Sequence, residues 1–174
     1  MRRARHRLSQ FFRYWRNSPL TPADVAEVRG VLAPPLAALF GQMTLGEQAH
    51  SLRVLRAVRA AAGDAALPPG LLQAARLHDV GKSRAPLTLW GRVLVVVAGR
   101  WLPDQSRQWG QGAPLGWRGP FVAAARHAAW GAQLAAEAGA DPLAVALIAR
   151  HQDPPGAAPE DEWLRRLQRA DDAH

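Results

Sequence analysis

The sequence contains no cysteine, and this absence excludes a disulfide scaffold and a thiolate zinc site. Any metal site must therefore be built from histidine and carboxylate ligands. Lysine is nearly absent as well, since Lys82 is the only one in the chain. The net charge of +8 comes almost wholly from arginine, in an Arg-, Ala- and Pro-rich composition typical of a GC-rich coding background. The charge by itself is therefore weak support for nucleic-acid binding.

The sequence also lacks a hydrophobic run long enough to cross a membrane. Its longest apolar stretch, residues 87–102, is interrupted by Arg92 and Arg100 and is shorter than the about 20 residues that a bilayer requires. The basic residues 1–7 are followed by aromatic and basic residues instead of the apolar core of a secretory signal. We therefore expect a cytoplasmic protein, and a peripheral membrane contact through residues 1–17 or 87–102 stays open.

A chain of 174 residues with 48% hydrophobic residues is long enough to bury a core, and we expect one globular domain. Residues 1–20 form a basic, aromatic-bearing N-terminal arm, with Phe11 and Trp15 at helical spacing among arginines. The arm either docks on the core as a first helix or contacts an anionic membrane surface or nucleic acid. Residues 21–174 are expected to form the main domain, with an inserted apolar segment and loop at 87–119.

Helix-start signals recur along the chain. Residues 21–24 (Thr-Pro-Ala-Asp) offer an N-cap, a first-turn proline and a first-turn acid, and residues 44–47 (Thr-Leu-Gly-Glu) form a capping box. The proline pairs at 34–35 and 68–69 restart helices, and Asp-Pro at 141–142 starts another. These signals predict an all-α, single-domain helical bundle.

The segment 87–102 is ambiguous, because its apolar run suits a buried helix or a strand. We expect a helix, since its surroundings are helical and Arg92 and Arg100 lie about two turns apart. In one interpretation the helix belongs to the core or forms an active-site lid, and in another its tryptophans dock on a bilayer. Residues 103–119 are rich in Gly, Pro, Gln and Trp and are expected to form one long loop.

Six metal-ligand side chains lie inside otherwise apolar helical segments. They are His50, His78, Asp79, His127, His151 and Asp171. Any one of the histidines is explained by a bond to a backbone carbonyl. Six such groups are harder to explain in this way, because each buried polar group needs a partner. Imidazole nitrogens and carboxylate oxygens both bind divalent metals, so one shared metal centre would satisfy all six.

The order of these residues resembles that of the HD-domain metal-dependent phosphohydrolases. The resemblance is carried by His50 in His-Ser-Leu-Arg-Val, residues 78–82 (His-Asp-Val-Gly-Lys), His127 followed by Gly131, His151, and Ala170-Asp171. It covers residues 44–173 and is specific for the superfamily, not for a substrate. It implies an all-α core that holds one or two divalent metals.

The resemblance also implies a role for each of the six ligands. A first metal would be held by His50, His78, Asp79 and Asp171. Asp79 would bridge to a second metal, which His127 and His151 complete. In such a centre a metal-bridging hydroxide attacks phosphorus, while both ions draw charge from the phosphoryl oxygens. Iron and manganese are the expected metals, and magnesium, cobalt and nickel are compatible.

The same resemblance points to the residues that would act on a substrate. Asp79 and Lys82 are the expected catalytic residues, because the lysine ammonium is a compact cation that stabilises charge on a non-bridging phosphate oxygen. Phosphate binding is expected from Lys82, Arg84 and Arg53. For each arginine the alternative is a solvated position on a helix face of an Arg-rich protein.

Two branches of the superfamily carry all six ligands. Phosphodiesterases of the HD-GYP type open cyclic di-GMP, but their Gly-Tyr-Pro stretch after the fourth histidine is missing here. Residues 127–132 (His-Ala-Ala-Trp-Gly-Ala) and 148–151 (Ile-Ala-Arg-His) resemble small bacterial enzymes that split diadenosine tetraphosphate symmetrically, although their threonine-glycine pair is absent. We therefore expect cleavage of a phosphoester or phosphoanhydride bond, with a nucleotide as the expected substrate class.

A non-catalytic module with the same fold is the alternative. In that module the metals would only staple the helices, while the arm and the 103–119 segment would bind RNA, a membrane surface or a protein partner. Six filled ligand positions favour the enzyme, because a site without a function is free to lose ligands.

Overall fold

The computed structural model describes residues 19–85, 88–153 and 161–174. Over these ranges every regular element is helical and no strand is present, which confirms the predicted all-α fold. The N-terminal arm lies outside the described residues except for its last two positions. Its two interpretations, docking on the core and contact with a surface, therefore stay predictions.

Nine α-helices lie in the described ranges. They are Pro22–Arg29 (α1), Pro34–Gly41 (α2), Leu45–Ala62 (α3), Pro69–Leu77 (α4), Leu89–Trp101 (α5), Pro103–Trp109 (α6), Gly119–Glu137 (α7), Pro142–Arg150 (α8) and Asp161–Asp172 (α9). A 3-10 helix at Val80–Arg84 follows α4 directly, and a second one at Gly116–Arg118 precedes α7.

The predicted helix starts are confirmed by their caps. The Thr44 hydroxyl accepts the Glu47 backbone N–H at 3.3 Å, and the Glu47 carboxylate accepts the Thr44 N–H at 3.0 Å. Thr21 and Asp24 form the same reciprocal pair at the start of α1. The Asp141 carboxylate accepts the Leu143 N–H at 2.8 Å at the start of α8. Each cap satisfies backbone donors that a helix leaves unpaired at its N-terminus.

Helix α4 occupies the centre of the bundle and packs against α3, α8 and α9. Its Leu71 and Leu77 are fully buried, and they meet equally buried leucines and isoleucine of the neighbouring helices, such as Leu55, Ile148 and Leu164. Burial of one such side chain stabilises the fold by about 1.5–3 kcal/mol. The end of α4 is therefore held firmly in the core, and His78 and Asp79 follow it directly.

Two glycines allow the 3-10 helix after α4 to lie against α7. A Cβ on Gly81 would come within 1.9 Å of the His127 carbonyl oxygen and 2.6 Å of the Gly131 nitrogen. A Cβ on Gly131 would approach the Gly81 nitrogen to 3.1 Å. Only glycine fits a backbone approach of this kind. The contact brings the His127 segment of α7 next to Asp79.

The segment 88–102 is helical as expected, but the prediction of one long loop at 103–119 is wrong. That stretch contains α6 and the 3-10 helix Gly116–Arg118. Pro103 begins α6 and Asp104 lies in its first turn, and both are favourable at a helix N-terminus. The prediction gave more weight to the Gly, Pro and Gln content than to these two start signals.

The interpretation of α5 as a core helix is also wrong. Trp90 is 79% exposed, Val96 68% and Trp101 75%. The buried side of the helix is made by small residues, Gly91 and Ala98. Among the described helices, none combines the length and apolar character that a membrane span requires.

Arg76 is a buried charged residue whose burial was not predicted from the sequence. Its side chain is fully buried in α4, and none of its guanidinium nitrogens has a hydrogen-bond partner among the described residues. The nearest carboxylate oxygen, Glu27 Oε1, lies 3.6 Å away, and the guanidinium lies over the Phe40 ring. Burial lowers the pKa of Arg76 to about 10. The group therefore stays charged at neutral pH and is costly to bury.

Candidate metal centre

The structure brings the six predicted ligands together as two adjacent groups. His50, His78 and Asp171 form the first group, and Asp79, His127 and His151 form the second. Within each group one ligand atom of every residue lies within 4.8 Å of the others. All are buried except Asp171, which is half-buried. Each group is thus a set of nitrogen and oxygen donors of the kind that binds a divalent ion.

The first group joins three elements of the bundle. His50 lies one turn inside α3, His78 caps the end of α4, and Asp171 lies in the last turn of α9. Asp171 Oδ1 is 2.8 Å from His50 Nε2 and 3.5 Å from His78 Nε2. Both imidazoles therefore turn the same nitrogen, Nε2, toward one carboxylate oxygen.

The second group joins α7 and α8 to the residue after α4. Asp79 Oδ1 lies 3.6 Å from His127 Nε2 and 4.0 Å from His151 Nε2. The two Nε2 atoms are 3.3 Å apart. His127 is placed here by the glycine contact between α7 and the 3-10 helix, and His151 by its position at the end of α8.

The two carboxylate oxygens of Asp79 face different donor groups. While Oδ1 faces His127 and His151, Oδ2 lies 3.8 Å from His78 Nε2. Oδ2 also accepts a hydrogen bond from Lys82 Nζ at 2.6 Å. The carboxylate is therefore placed between the two donor groups, where a bridging ligand would have to lie.

Backbone carbonyls fix the orientation of three of the imidazoles. His78 Nδ1 lies 3.3 Å from the Ala75 carbonyl, His127 Nδ1 3.0 Å from the Ala124 carbonyl, and His151 Nδ1 2.8 Å from the Ile148 carbonyl. A carbonyl only accepts hydrogen bonds, so each Nδ1 carries the proton. In a neutral ring the Nε2 lone pair then points into the site, as in metal-binding histidines.

Three imidazole Nε2 atoms of the site have no hydrogen-bond donor opposite them among the described residues. His127 Nε2 and His151 Nε2 face each other at 3.3 Å, although both are acceptors in the neutral rings. His78 Nε2 is buried without a hydrogen-bond partner among the described residues. Buried acceptors that lack a partner are costly. A divalent cation in each group would satisfy them, so the donor set fits a metal centre.

The electrostatics of the site support the same ionisation states. Burial and the nearby Lys82 charge lower the pKa of His127, and burial with the His78 charge lowers the pKa of His151 to about 4. Burial would raise the pKa of Asp79, but Lys82 and the histidines outweigh it and hold that pKa well below its usual range. At neutral pH the two histidines are therefore neutral and the carboxylate is ionised, as metal ligands must be.

His78 and Asp171 show that the first group attracts positive charge. Burial opposes the charged form of His78, but the Asp79 and Asp171 carboxylates outweigh it and raise the pKa of the imidazole. Burial would raise the pKa of Asp171, but the hydrogen bond with His50 and the nearby His78 imidazole lower it strongly. The buried Asp79 carboxylate and the half-buried Asp171 carboxylate lie close together around His78 Nε2, so positive charge between them is favourable, and a bound cation would supply it.

The predicted phosphate-binding residues occupy different positions. Lys82 follows Asp79 on the 3-10 helix, and about a quarter of its side chain reaches solvent. Arg84 is exposed and donates to Gln133 Oε1 at 3.2 Å, and no contact links it to the six ligands among the described residues. Arg53 is half-buried on α3, one turn after His50. Of these three residues, Lys82 contacts a candidate ligand through its hydrogen bond to Asp79.

Further residues that position the ligands were missed by sequence reasoning. Gln168 on α9 donates to the carbonyls of His151 at 3.0 Å and Asp153 at 2.7 Å. Arg150 beside His151 donates to the fully buried Asp161 at 2.6 Å. Both contacts join the end of α8 to the helix that carries Asp171. Their sequence signal is weak, because nothing in the spacing shows which partner such side chains meet.

A further ion pair joins the α5 helix to the site. Arg92 Nη2 donates to Glu47 Oε1 at 2.7 Å, and Glu47 is only 3% exposed. Glu47 precedes His50 by one turn of α3. Helix α5 is therefore attached to the same part of α3 that presents the candidate ligand His50.

Comparison with known proteins identifies no relative, because no family model, curated protein or solved structure matches the chain. The site itself contains four imidazoles, two carboxylates and one ammonium group in mutual contact.

Proposed function

We propose that the protein is a metal-dependent phosphohydrolase of the HD-domain type. Its expected reaction is the hydrolysis of a phosphoester or phosphoanhydride bond, with a nucleotide as the substrate class. The observation that carries the proposal is the division of the six ligands into two donor groups that share the Asp79 carboxylate.

The two donor groups support a centre for two divalent ions. His50, His78 and Asp171 would hold one ion and His127 and His151 the other, with Asp79 available to both. Four nitrogen and two carboxylate ligands without a thiolate suit iron or manganese best, and cobalt, nickel or magnesium are compatible. Such ions activate water and neutralise charge on phosphoryl oxygens.

The chain itself contributes the charge pattern around a bound phosphate. Lys82 Nζ lies 2.6 Å from Asp79 Oδ2 and reaches solvent, which supports a role in binding a phosphoryl oxygen that enters beside the candidate ligands. A compact cation at this position would stabilise the negative charge that grows on that oxygen during hydrolysis. Asp79 would orient both donor groups and hold Lys82 in place before the substrate arrives.

The arginines support the proposal unequally. Arg53 lies on the same helix as His50 and remains a candidate for phosphate binding. Arg84 is engaged with Gln133 on an exposed part of α7, so it would have to leave that hydrogen bond to reach a substrate. We therefore place Lys82 first among the phosphate-binding residues.

The test begins with elemental analysis of protein purified without chelator. We expect close to two iron or manganese ions per chain. The protein is then assayed with added Mn²⁺ against nucleotides, dinucleoside polyphosphates and cyclic dinucleotides, and hydrolysis of at least one class is expected. Asp79→Asn should abolish hydrolysis, whereas Asp64→Asn changes an exposed aspartate and serves as the matched control.

Three outcomes separate the alternatives. Metal binding and hydrolysis that both disappear in Asp79→Asn support the enzyme. Metal binding without hydrolysis across the panel supports the non-catalytic module instead. Protein that contains no metal and gains none in Mn²⁺ or Fe²⁺ contradicts both.

A further inference from the structure

We infer that the exposed apolar face of α5 docks on the surface of an anionic lipid bilayer. The face is defined by Trp90, Leu94, Val97 and Trp101, which recur at intervals of four, three and four residues and so share one side of the helix. Their exposed fractions are 79%, 42%, 49% and 75%.

Exposed apolar side chains are concentrated in this part of the molecule. Among the described residues, Val25 and Leu45 are the only large apolar side chains exposed outside the inserted segment. Within that segment Val96, Leu102, Leu115 and Trp117 are exposed in addition to the α5 face. Soluble proteins rarely leave a contiguous apolar patch of this kind without a binding role.

The charge around the face favours an anionic surface. Helix α5 contains no aspartate or glutamate, and of its two arginines Arg92 pairs with Glu47 on the far side while Arg100 is exposed. Arg100 lies 5.6 Å from the ring centre of Trp101, and Arg118 lies 5.3 Å from that of Trp117, so cations flank the exposed tryptophans. Tryptophan and arginine together are typical of helices that lie in a lipid headgroup region.

The positive charge around the α5 face argues against two other binding partners for that face, which are residues 1–17 of the chain and a second copy of the protein. Residues 1–17 of the chain contain six arginines and no acidic residue, so they would be repelled by α5. A second copy of the protein would place the same basic face against itself. An anionic bilayer attracts both the face and the N-terminal residues.

The dimensions of α5 define how it would lie. Thirteen residues correspond to a helix of about 20 Å, which is shorter than the about 30 Å of bilayer hydrocarbon. Trp90 and Trp101 stand at its two ends. The helix would therefore lie parallel to the surface, with both indole rings at the level of the headgroups.

Docking would also set the orientation of the candidate metal centre. The Arg92–Glu47 ion pair attaches α5 to the turn of α3 before His50. A bilayer bound to the opposite, exposed side of α5 would hold the centre at a fixed distance from the lipid surface. The docking itself needs neither metal nor catalysis, so its test is independent of the proposed function.

The experiment measures flotation of the full chain with vesicles of 70% phosphatidylcholine and 30% phosphatidylglycerol, and with vesicles of phosphatidylcholine alone. We expect strong binding to the anionic vesicles, reduced in 0.5 M NaCl, and weak binding to the neutral ones. Trp90→Ser/Trp101→Ser should lower the partition coefficient by roughly tenfold or more. Val25→Ser/Leu45→Ser removes exposed apolar side chains elsewhere and should change it by less than about twofold.

Four results would overturn the inference. One is equal binding of the wild type and Trp90→Ser/Trp101→Ser, because the N-terminal residues would then suffice. Another is the absence of wild-type binding at low salt, and a third is equally strong binding to neutral vesicles. The last is a wild-type dimer in sedimentation velocity that the double substitution dissolves, because the face would then be an interface between two copies. Circular dichroism and Tm confirm that both variants remain folded.

Discussion

Substitution of Gly81 by alanine tests the packing that assembles the second donor group. The added Cβ would lie 1.9 Å from the His127 carbonyl oxygen and 2.6 Å from the Gly131 nitrogen. Because ordinary contacts of this kind begin near 3.4 Å, the 3-10 helix and α7 would have to separate by about 1.5 Å. Neither clashing atom is the end of a flexible side chain, so the backbones themselves must move.

The expected cost follows from this displacement. Overpacking of a core costs about 1–3 kcal/mol, and a clash with backbone on both sides belongs at the upper end. Since about 1 kcal/mol corresponds to 2–4 °C for a domain of this size, about 3 kcal/mol lowers Tm by about 6–12 °C. The shift also moves His127 away from Asp79, which weakens the second donor group and leaves the first largely in place.

Thermal unfolding and metal analysis of a graded series provide the assay. Gly131→Ala meets its nearest atoms at 3.1–3.4 Å, so we expect a loss of about 1 kcal/mol. Gly99→Ala has nothing within 4 Å on α5 and should be neutral or raise stability by up to about 1 kcal/mol. For Gly81→Ala the bound metal should fall from two ions per chain toward one. If that variant keeps both ions and the Tm of Gly99→Ala, the reasoning is refuted.

The remaining predictions concern the helices around the site. Arg76→Met should leave the free energy of unfolding unchanged or raise it by about 1–3 kcal/mol, because the buried guanidinium makes no hydrogen bond among the described residues. A loss above about 2 kcal/mol, measured by urea unfolding, would show that the charge of Arg76 stabilises the fold. Asp161→Ala should cost about 1–3 kcal/mol, because it removes the fully buried carboxylate that accepts from Arg150. It should also weaken metal binding because α9 carries Asp171, and an unchanged calorimetric titration would contradict this role. Gln168→Ala should lower metal affinity about tenfold by loosening His151, with fold stability reduced by only about 1 kcal/mol. Removal of metal with a chelator should lower stability by about 2.7 kcal/mol when free metal had been a hundred times Kd, and an unchanged Tm would exclude a metal that links the helices.

Local signals in the sequence were sufficient for most of the helices, although α6 was missed. The capping box at residues 44–47 and the proline pairs act within one turn of the chain, so no knowledge of the fold is needed to interpret them. The candidate ligand residues were predicted for a related reason. Histidines inside apolar helical faces, such as His127, must satisfy their polar atoms, and this requirement holds before the partners are known.

Ion pairs and burial that depend on residues distant along the chain could not be predicted from the sequence. The Arg92–Glu47 and Arg150–Asp161 pairs join residues on different helices, and arginine is too common in this chain to mark the ones that pair. The burial of Arg76 depends on contacts with Glu27 on α1 and Phe40 on α2, which lie far from it in the sequence. The exposure of α5 was equally hidden, because an apolar run has the same composition in a core and on a docking surface.

Gly81 is a sequence signal for the close contact with α7, but that contact was not predicted from it. A glycine two residues after Asp79 is compatible with a turn, and its real cause is the close approach of α7 at Gly131. Two glycines distant along the chain can mark a contact between backbones, but only the fold shows that they meet. The positions of His78, Asp79 and Lys82 relative to α7 depend on this contact as well as on the end of α4.

Anomalous diffraction at the manganese edge, from crystals of protein loaded with Mn²⁺, tests the central claim most directly. Two peaks are expected in the difference map, one among His50, His78 and Asp171 and the other among Asp79, His127 and His151, with the Asp79 carboxylate between them. A map without a peak in either group, or with its peaks at other side chains, would contradict the two-ion centre.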